Sequence, residues 1–303
     1  MKQEFKHRLE EILDEDQLFW DEPMKNHTTF RIGGPADCLA VPHTIDEAEK
    51  VIRSCRQESV PCFIMGNGSN LLVSDQGFRG VVVQLYKEFA GIETEGTLIR
   101  AQAGASLARI AAEALRNGLE GFEFAAGIPG TLGGACIMNA GAYGGEMKDV
   151  LREVTVLTLE GERKIFHREE LDMGYRTSRA SREGAVVLEA VLQLKKGEES
   201  RIREKMEDLK ERRISKQPLE YPSAGSTFKR PEGYFAGKLI QDAGLRGFRV
   251  GDAMVSEKHC GFVINCGNAT AADVAELIRQ IQEKVKETSG VTLEPEVRRL
   301  GEF

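Results

Sequence analysis

Two stretches of the chain combine glycine and asparagine in a way that brings bare backbone close to a ligand. The first is Gly66-Asn67-Gly68-Ser69-Asn70, which joins two short apolar runs. Successive residues of these types turn backbone N–H groups to one side, and such a nest holds phosphate oxygens. A tight turn between strands uses the same residues, so this stretch alone leaves both interpretations open. It is not a Walker loop, because no Lys-Ser or Lys-Thr pair follows.

The second stretch, residues 126–135, has four glycines and a proline in ten positions. This composition excludes a long helix there and lets the main chain pass close to a flat or phosphorylated ligand. A crossing of two elements packed on glycine is the alternative. Two such turns in one chain suggest a dinucleotide, although neither has the strand–GxGxxG–helix context of a Rossmann site.

Three loops carry ionisable or hydroxyl groups. Tyr175-Arg176-Thr177-Ser178 precedes a strand, where a fixed guanidinium can hold a carboxylate bidentately. Residues 224–229 place hydroxyls after a glycine and beside a cation, and residues 294–298 put two carboxylates at a strand end. A surface arginine, a plain turn and ordinary strand-edge charges are the alternatives. His259 is interpreted as a structural histidine.

Apolar periodicity predicts the elements that position these loops. Thr44 and Glu47 form a capping box, Ser106 caps a second helix, and Gly118 and Gly290 end helices. Helices are predicted at residues 3–15, 45–55, 107–116, 198–213, 234–243 and 270–288. Strands are predicted at residues 30–41, 62–65, 71–73, 80–85, 98–103, 154–159, 163–166, 186–194, 262–265 and 291–297. The sequence therefore predicts an α+β protein with mixed sheets, in two or three lobes.

Length and composition narrow the class of protein. The chain has 303 residues, with 41 Lys and Arg against 48 Asp and Glu and a net charge of −7, which disfavours a non-specific nucleic-acid binder. No apolar run approaches the ~20 residues of a membrane span, and the charged N-terminus lacks a signal-peptide pattern. The six cysteines and five histidines show no metal-ligand spacing, so no metal is expected. A cytoplasmic protein is expected.

In their order along the chain, six motifs together resemble those of the UDP-N-acetylenolpyruvoylglucosamine reductases, the flavoenzymes that complete UDP-N-acetylmuramate for the bacterial cell wall. The motifs are Asn26-His27-Thr28-Thr29-Phe30-Arg31-Ile32-Gly33-Gly34, residues 66–70, residues 127–135, Tyr175-Arg176, residues 225–229 and residues 294–298. Lacking the insertion that long-form members carry, the chain resembles the short form. The resemblance runs from about Asn26 to the C-terminus.

The resemblance implies a two-lobed FAD-binding fold of the vanillyl-alcohol-oxidase (PCMH) type plus a C-terminal α+β substrate-binding domain. The implied domains are residues 1–85 for the first lobe, 86–196 completed by 291–303 for the second, and 197–290 for the substrate. FAD is implied to bind non-covalently, since no histidine attachment motif is present. The residues implied to contact it are Gly66, Asn67, Gly68, Ser69, Asn70, Gly127, Ile128, Pro129, Gly133 and Gly134.

The resemblance also implies the reaction. NADPH passes hydride to the flavin, and hydride then moves to the methylene carbon of the enolpyruvyl ether, leaving enolate-like charge. Arg176 and Glu296 match the stabilising pair, and Ser226 matches the proton donor to the adjacent carbon. Glu296 helps only when it is protonated or orients a donor, because a bare carboxylate repels an enolate.

The substrate's diphosphate is expected to meet cations. Arg230 stands where other members often have Asn, and a longer cation there is expected to reach the diphosphate, as are Lys216 and Lys229. Only eight residues separate Arg176 from Ala185, so the gating tyrosine of long-form members is not assigned to Tyr175.

Two other functions stay open at this point. One is an FAD-dependent oxidase or dehydrogenase of small hydroxy acids or alcohols on the same fold. The other is a sugar-nucleotide-binding protein that has lost the redox chemistry. The expected partners are small molecules only, the UDP-linked enolpyruvate and NADPH, with no nucleic acid, membrane span or protein partner.

Overall fold

A computed structural model describes all 303 residues, Met1–Phe303, and divides them into two units. The first unit comprises Met1–Phe19, Leu39–Asn67 and Val81–Arg213. The second unit comprises Trp20–Cys38, Gly68–Gly80 and Ile214–Phe303. Each unit is therefore assembled from three separate stretches of sequence.

Helices and strands are distributed over both units. Helices α1–α9 span Gln3–Glu10, Ile45–Gln57, Leu107–Arg116, Leu132–Met138, Met147–Val150, Arg179–Arg182, Glu199–Lys216, Ala236–Asp242 and Ala271–Ser289. Strands β1–β9 span Leu18–Pro23, Pro35–Ala40, Cys62–Met65, Leu71–Val73, Phe78–Gln84, Ile92–Glu95, Leu98–Gln102, Leu119–Glu120 and Gly141–Ala142. Strands β10–β18 span Gly145–Glu146, Leu151–Leu157, Arg163–His167, Val186–Gln193, Lys195–Lys196, Arg249–Val250, Ala253–Val255, Val263–Asn265 and Arg298–Leu300. None of the helices has both the length and the apolar composition needed to cross a membrane.

The first unit is organised around a five-stranded antiparallel sheet in the order β12-β11-β13-β7-β6. Its central strand β13 is buried at six of its eight positions, and α4 packs against it. The hairpin predicted around residues 160–161 is confirmed, with Leu157 opposite Arg163 and Val154 opposite Phe166. Strand β3 pairs in parallel with β5.

Side-chain caps begin the two longer helices that precede α4. The Thr44 hydroxyl accepts a hydrogen bond from the N–H of Glu47, whose carboxylate accepts from the N–H of Thr44, as the capping-box prediction requires. The Ser106 hydroxyl accepts from the N–H of Arg109 at the start of α3. The caps therefore fix where α2 and α3 begin, and both starts agree with the sequence prediction.

The second unit packs its apolar residues against one face of α9. The predicted stripe of this helix is buried, and it consists of Val274, Leu277, Ile278, Ile281 and Val285. A three-stranded meander, β15-β16-β17, lies beside it. Strand β18 pairs in parallel with β4, Arg298 opposite Leu71 and Leu300 opposite Val73. Gly290 ends α9 in the left-handed conformation, as predicted.

The N-terminus of α9 is closed by a residue from a distant part of the chain. The two carboxylate oxygens of Asp75 accept from the N–H groups of Ala271 and Ala272, at 2.8 and 2.9 Å. Thr270 and Asp273 complete a capping box. Because these N–H groups have no partner within the helix, Asp75 both satisfies them and complements the helix dipole.

Three predicted elements are wrong in extent or place. The first helix ends at Glu10 rather than at residue 15, and an unpredicted strand, β1, follows it. The strand predicted at residues 30–41 begins only at Pro35. The strand expected at residues 291–297 is absent, and β18 follows instead. The carbonyl of Glu294 and the N–H of Glu296 do pair with residues 229 and 227, but Pro295 lies between them and has no N–H to continue a ladder.

We expect Asp75→Ala to lower the free energy of unfolding by about 1–2 kcal/mol, because two N–H groups at the start of α9 lose their partner. Urea denaturation followed by circular dichroism measures this change. Asp16→Ala, at an exposed aspartate, is the matched control and should stay within about 0.5 kcal/mol of the parent. Equal losses in the two variants would contradict the capping role.

Candidate functional site

The first half of the turn at residues 66–70 packs closely in the first unit. The carbonyl of Gly66 accepts from the Gln84 amide at 3.2 Å, and the Asn67 amide donates to the carbonyl of Pro129 at 2.9 Å. A Cβ at Gly66 would overlap the hydroxyl oxygen of Thr131. Only glycine therefore lets this turn lie against the second glycine-rich stretch.

The second stretch, residues 127–134, is held by the connection between β7 and α3. The N–H of Leu107 donates to the carbonyl of Gly130 at 3.1 Å, and the N–H of Gly133 donates to that of Ala103 at 2.8 Å. A Cβ at Gly133 would lie 2.9 Å from the Ala103 Cβ. By contrast, a Cβ at Gly134 would meet only Thr131, at 3.8 Å. Gly133 is therefore required by packing, whereas Gly134 is exposed and leaves open space.

Arg213 supplies a cation to the beginning of this stretch, and sequence reasoning missed it. Its guanidinium donates to the carbonyl of Gly127, and its Nε lies against the Gly127 backbone. That Nε–H is buried and has no hydrogen-bond partner. An unpaired buried donor costs free energy, while the positive charge of the guanidinium favours an anion near this stretch. Bare backbone, open space at Gly134 and a positive charge at Arg213 fit the dinucleotide that the sequence predicts.

The second half of the turn belongs to the second unit, where Asn70 contacts the C-terminal segment. Its side-chain amide donates to the carbonyl of Glu296 at 3.1 Å, and its own carbonyl accepts from the N–H of Arg298 at 3.0 Å. The N–H of Glu296 donates in turn to the carbonyl of Thr227 at 2.8 Å. Within the second unit the structure therefore brings together the backbones of Asn70, Glu296 and Thr227, the last of which follows Ser226.

Ser226 is exposed but held on a fixed backbone. Gly225 before it has a left-handed φ of 75°, and Thr227 after it is buried. Thr227 donates its N–H to the carbonyl of Gly261, and its hydroxyl accepts from the N–H of Val263, both at 2.9 Å. Anchoring of Thr227 therefore limits the positions open to the Ser226 hydroxyl, while Glu296 is half-buried nearby along the paired backbone.

His259 has a structural environment, as the sequence interpretation holds. Its Nδ1 accepts from the N–H of Gly261 at 3.1 Å, and its ring lies edge-on to that of Phe262. Burial lowers the pKa of His259, because a charged imidazolium loses hydration.

The Cys136 thiol lies in α4, directly after the second glycine-rich stretch, and it is buried. Burial raises the pKa of this thiol, so Cys136 stays protonated and unreactive.

Arg176 lies in the first unit, at the second central position of a two-residue turn. The flanking residues Gly174 and Thr177 exchange backbone hydrogen bonds at 3.1 and 3.4 Å. Arg176 has a φ of 56°, in the left-handed region that glycine or asparagine usually fills. Its guanidinium carbon lies 5.1 Å from the centre of the Tyr175 ring. A non-glycine residue in this conformation stores about 1–2 kcal/mol of strain.

The three cations expected at the diphosphate all lie in the second unit. Lys216 is the exposed last residue of α7. Lys229 is ion-paired with Glu294. Arg230 lies with its guanidinium carbon 4.0 Å from the centre of the exposed Phe235 ring, and its Nε donates to the carbonyl of Tyr234.

Two family profiles match the chain. The profile described as the FAD binding domain matches residues 36–166, and the profile of the UDP-N-acetylenolpyruvoylglucosamine reductase C-terminal domain matches residues 217–300. Among curated proteins, the chain is 56% identical over 295 residues to the UDP-N-acetylenolpyruvoylglucosamine reductase of Caldanaerobacter subterraneus subsp. tengcongensis, with 97% of each chain covered.

Comparison with solved structures gives the same family as comparison with curated proteins. The chain superimposes on the UDP-N-acetylenolpyruvylglucosamine reductase of Thermus caldophilus with a TM-score of 0.80 and 38% identity, over 94% of this chain and 98% of that one. It also resembles Phl p 4.0202, a glucose dehydrogenase, with a TM-score of 0.52 and 12% identity, over 65% of this chain and 45% of that one. The second likeness concerns the fold alone. The predicted α+β, PCMH-type fold is confirmed.

We expect Arg176→Gly to unfold with a free energy about 1 kcal/mol higher than Arg176→Ala, because glycine adopts the left-handed turn without the Cβ clash. Guanidinium chloride denaturation compares the two variants. The same pair at Arg100, on strand β7 whose pairing is regular on both sides, is the control, and there alanine should be the more stable residue. An identical order at both positions would contradict a strained turn.

Proposed function

The chain belongs to the family of UDP-N-acetylenolpyruvoylglucosamine reductases, and we propose how its own residues carry out the reaction of that family. It is an FAD-dependent oxidoreductase that uses NADPH to reduce the enolpyruvyl group of UDP-N-acetylglucosamine enolpyruvate, giving UDP-N-acetylmuramate for peptidoglycan synthesis. Bound FAD would supply the redox chemistry, which is the relay of hydride from NADPH to the methylene carbon of the substrate.

The cofactor is proposed to lie on the two glycine-rich stretches. Gly66 packs on Thr131 and Gly133 on Ala103, which fixes both stretches, and Gly134 leaves open space where a pyrophosphate or a flat ring can approach the backbone. The Arg213 guanidinium, bonded to the carbonyl of Gly127, places a positive charge at the beginning of the second stretch, which favours an anionic cofactor. The residues proposed to contact FAD are Gly66, Asn67, Gly68, Ser69, Asn70, Gly127, Ile128, Pro129, Gly133 and Gly134.

We assign a role to each catalytic residue from the negative charge that develops on the substrate. Hydride addition to the methylene carbon leaves negative charge delocalised into the substrate carboxylate, and the Arg176 guanidinium is proposed to stabilise it. Ser226 is proposed to give its hydroxyl proton to the adjacent carbon, completing the reduction. Glu296 is proposed to act as a protonated donor or to orient one, since an ionised carboxylate would oppose the enolate.

One observation supports the pairing of Ser226 with Glu296. The segment after Ser226 and the segment around Glu296 are joined by two backbone hydrogen bonds, of 2.8 Å between residues 296 and 227 and 2.9 Å between residues 229 and 294. A weak acid such as a hydroxyl donates effectively only when it is held against a strongly basic carbon. Fixed backbone on both sides of the pair supplies that rigidity.

The substrate's diphosphate is proposed to contact Lys216, Lys229 and Arg230. The Arg230 guanidinium lies over the Phe235 ring, and its planar fork of donors suits the recognition of phosphate oxygens.

We also propose the domain boundaries. The FAD-binding lobes are residues 1–85 and residues 86–196 with 291–303, and the substrate domain is residues 197–290. The proposed location is the cytoplasm, where NADPH and nucleotide sugars are made.

We expect Ser226→Ala to slow the return of the oxidised flavin spectrum about 10²- to 10⁴-fold when the enolpyruvyl substrate is added to the NADPH-reduced enzyme. Bleaching by one equivalent of NADPH should persist, because Ser226 takes no part in it. Anaerobic stopped-flow absorbance measures both steps. Ser289→Ala, at the far end of α9, is the control and should react like the parent.

Two results would contradict these assignments. Reoxidation of Ser226→Ala at the parental rate would remove Ser226 as the proton donor. Rapid reoxidation by oxygen in the parent enzyme, with no consumption of NADPH, would favour an oxidase of small hydroxy acids or alcohols instead.

We expect Gly134→Ala to stabilise the FAD-free protein by about 0.5–1 kcal/mol, because alanine favours the helix and meets open space. The same change should weaken FAD binding, since the methyl group occupies the cofactor surface. Denaturation of the apoprotein and titration with FAD by flavin fluorescence give the two values. Gly133→Ala is the contrast and should destabilise the apoprotein against Ala103. Unchanged FAD affinity in Gly134→Ala would remove Gly134 from the cofactor surface.

A further inference from the structure

The turn that carries Arg176 requires external support. Its left-handed φ of 56° is unfavourable for an arginine, and the two hydrogen bonds between Gly174 and Thr177 are those of any tight turn. Strained backbone persists where surrounding contacts determine it from several sides. Those contacts are therefore the place to look for residues that set the position of the guanidinium.

Asn139 provides the first such contact. It ends α4 in the left-handed conformation, with φ 43° and ψ 56°, and it is almost completely buried. Its side-chain amide donates to the carbonyl of Gly174 at 3.1 Å and to the carboxylate of Glu146 at 2.5 Å. Its side-chain oxygen accepts from the N–H of Lys148 at 2.9 Å. Three hydrogen bonds thus fix the amide, and one of them holds the residue that opens the Arg176 turn.

Ser178 provides the second contact, on the other side of the turn. Its hydroxyl donates to the carbonyl of Ile137 at 2.9 Å and accepts from the N–H of Ser181 at 3.2 Å, which caps α6. Ile137 and Asn139 both lie at the end of α4, the helix whose first turn contains Gly133 and Gly134. The turn is therefore fastened at both ends to the helix proposed to lie along the cofactor.

We propose that Asn139 is a positioning residue for Arg176, holding the strained turn so that the guanidinium meets the charge that develops on the substrate. This inference rests on the catalytic role of Arg176 given under Proposed function. Ser178 shares the task from the opposite end of the turn. The fastening to α4 also means that the cofactor surface and the arginine move as one element, so hydride delivery and charge stabilisation keep a constant geometry.

The test is a double-mutant cycle on the holoenzyme, measured as the rate of flavin reoxidation by the enolpyruvyl substrate in single-turnover stopped flow. Asn139→Gly keeps a residue that tolerates positive φ and removes only the side chain. In the parent background we expect a roughly tenfold to hundredfold loss of rate from misplacement of the arginine. In the Arg176→Ala background we expect Asn139→Gly to change the rate less than twofold, because the group it positions is gone.

A purely structural role predicts a different result, namely the same fold-loss of rate in both backgrounds, and that additivity would overturn the inference. Ser178→Ala, measured in the parent and in the Arg176→Ala background, provides a second double-mutant cycle. This second cycle tests the inference even when Asn139→Gly folds poorly. Asn117→Gly, at the exposed C-terminal cap of α3, is the matched control and should keep the parental rate. An unchanged rate in Arg176→Ala alone would instead overturn the proposed role of Arg176.

Discussion

The hydrogen bond from the Asn70 amide to the carbonyl of Glu296 joins residues 226 positions apart in the sequence and ties the glycine-rich turn to the segment that carries Glu296. The carbonyl of Asn70 also accepts from the N–H of Arg298, the first residue of β18, and the two bonds together fix the register of the C-terminal segment. The same segment pairs with Thr227 through Glu296. A single asparagine at the end of a glycine-rich turn thus determines where a carboxylate and a hydroxyl-bearing loop are placed.

Much of this architecture could be predicted because its signals are local. Thr44 and Ser106 cap helices by bonds to residues three positions away, and the stripe of α9 repeats at helical spacing. The end of the chain could not be predicted in the same way. Residues 291–297 read as a strand by composition, but Pro295 interrupts the pairing and the partner of β18 lies far away in sequence.

The residues of the candidate site show the same contrast between what the sequence predicts and what it does not. The resemblance in motifs predicted Arg176, Ser226 and Glu296 as catalytic residues. It did not predict which residues support them. Asn139 precedes Ala-Gly after a short helix, which is a signal for a left-handed helix end and the only sequence hint of its role. Arg213 was hidden in a highly charged helix, whose other residues give it no distinction. Supporting contacts are long-range pairings of ordinary residue types, so composition does not reveal them.

The parallel pairing of β18 with β4 also shapes the order in which the chain becomes folded during translation. All residues of the first unit have been synthesised once Arg213 is added, whereas β4 then still lacks its only strand partner. An unpaired strand edge invites association with other nascent chains until α9 and β18 arrive. Contacts of such long sequence separation also form slowly, so completion of the second unit is expected to limit the rate at which this protein matures.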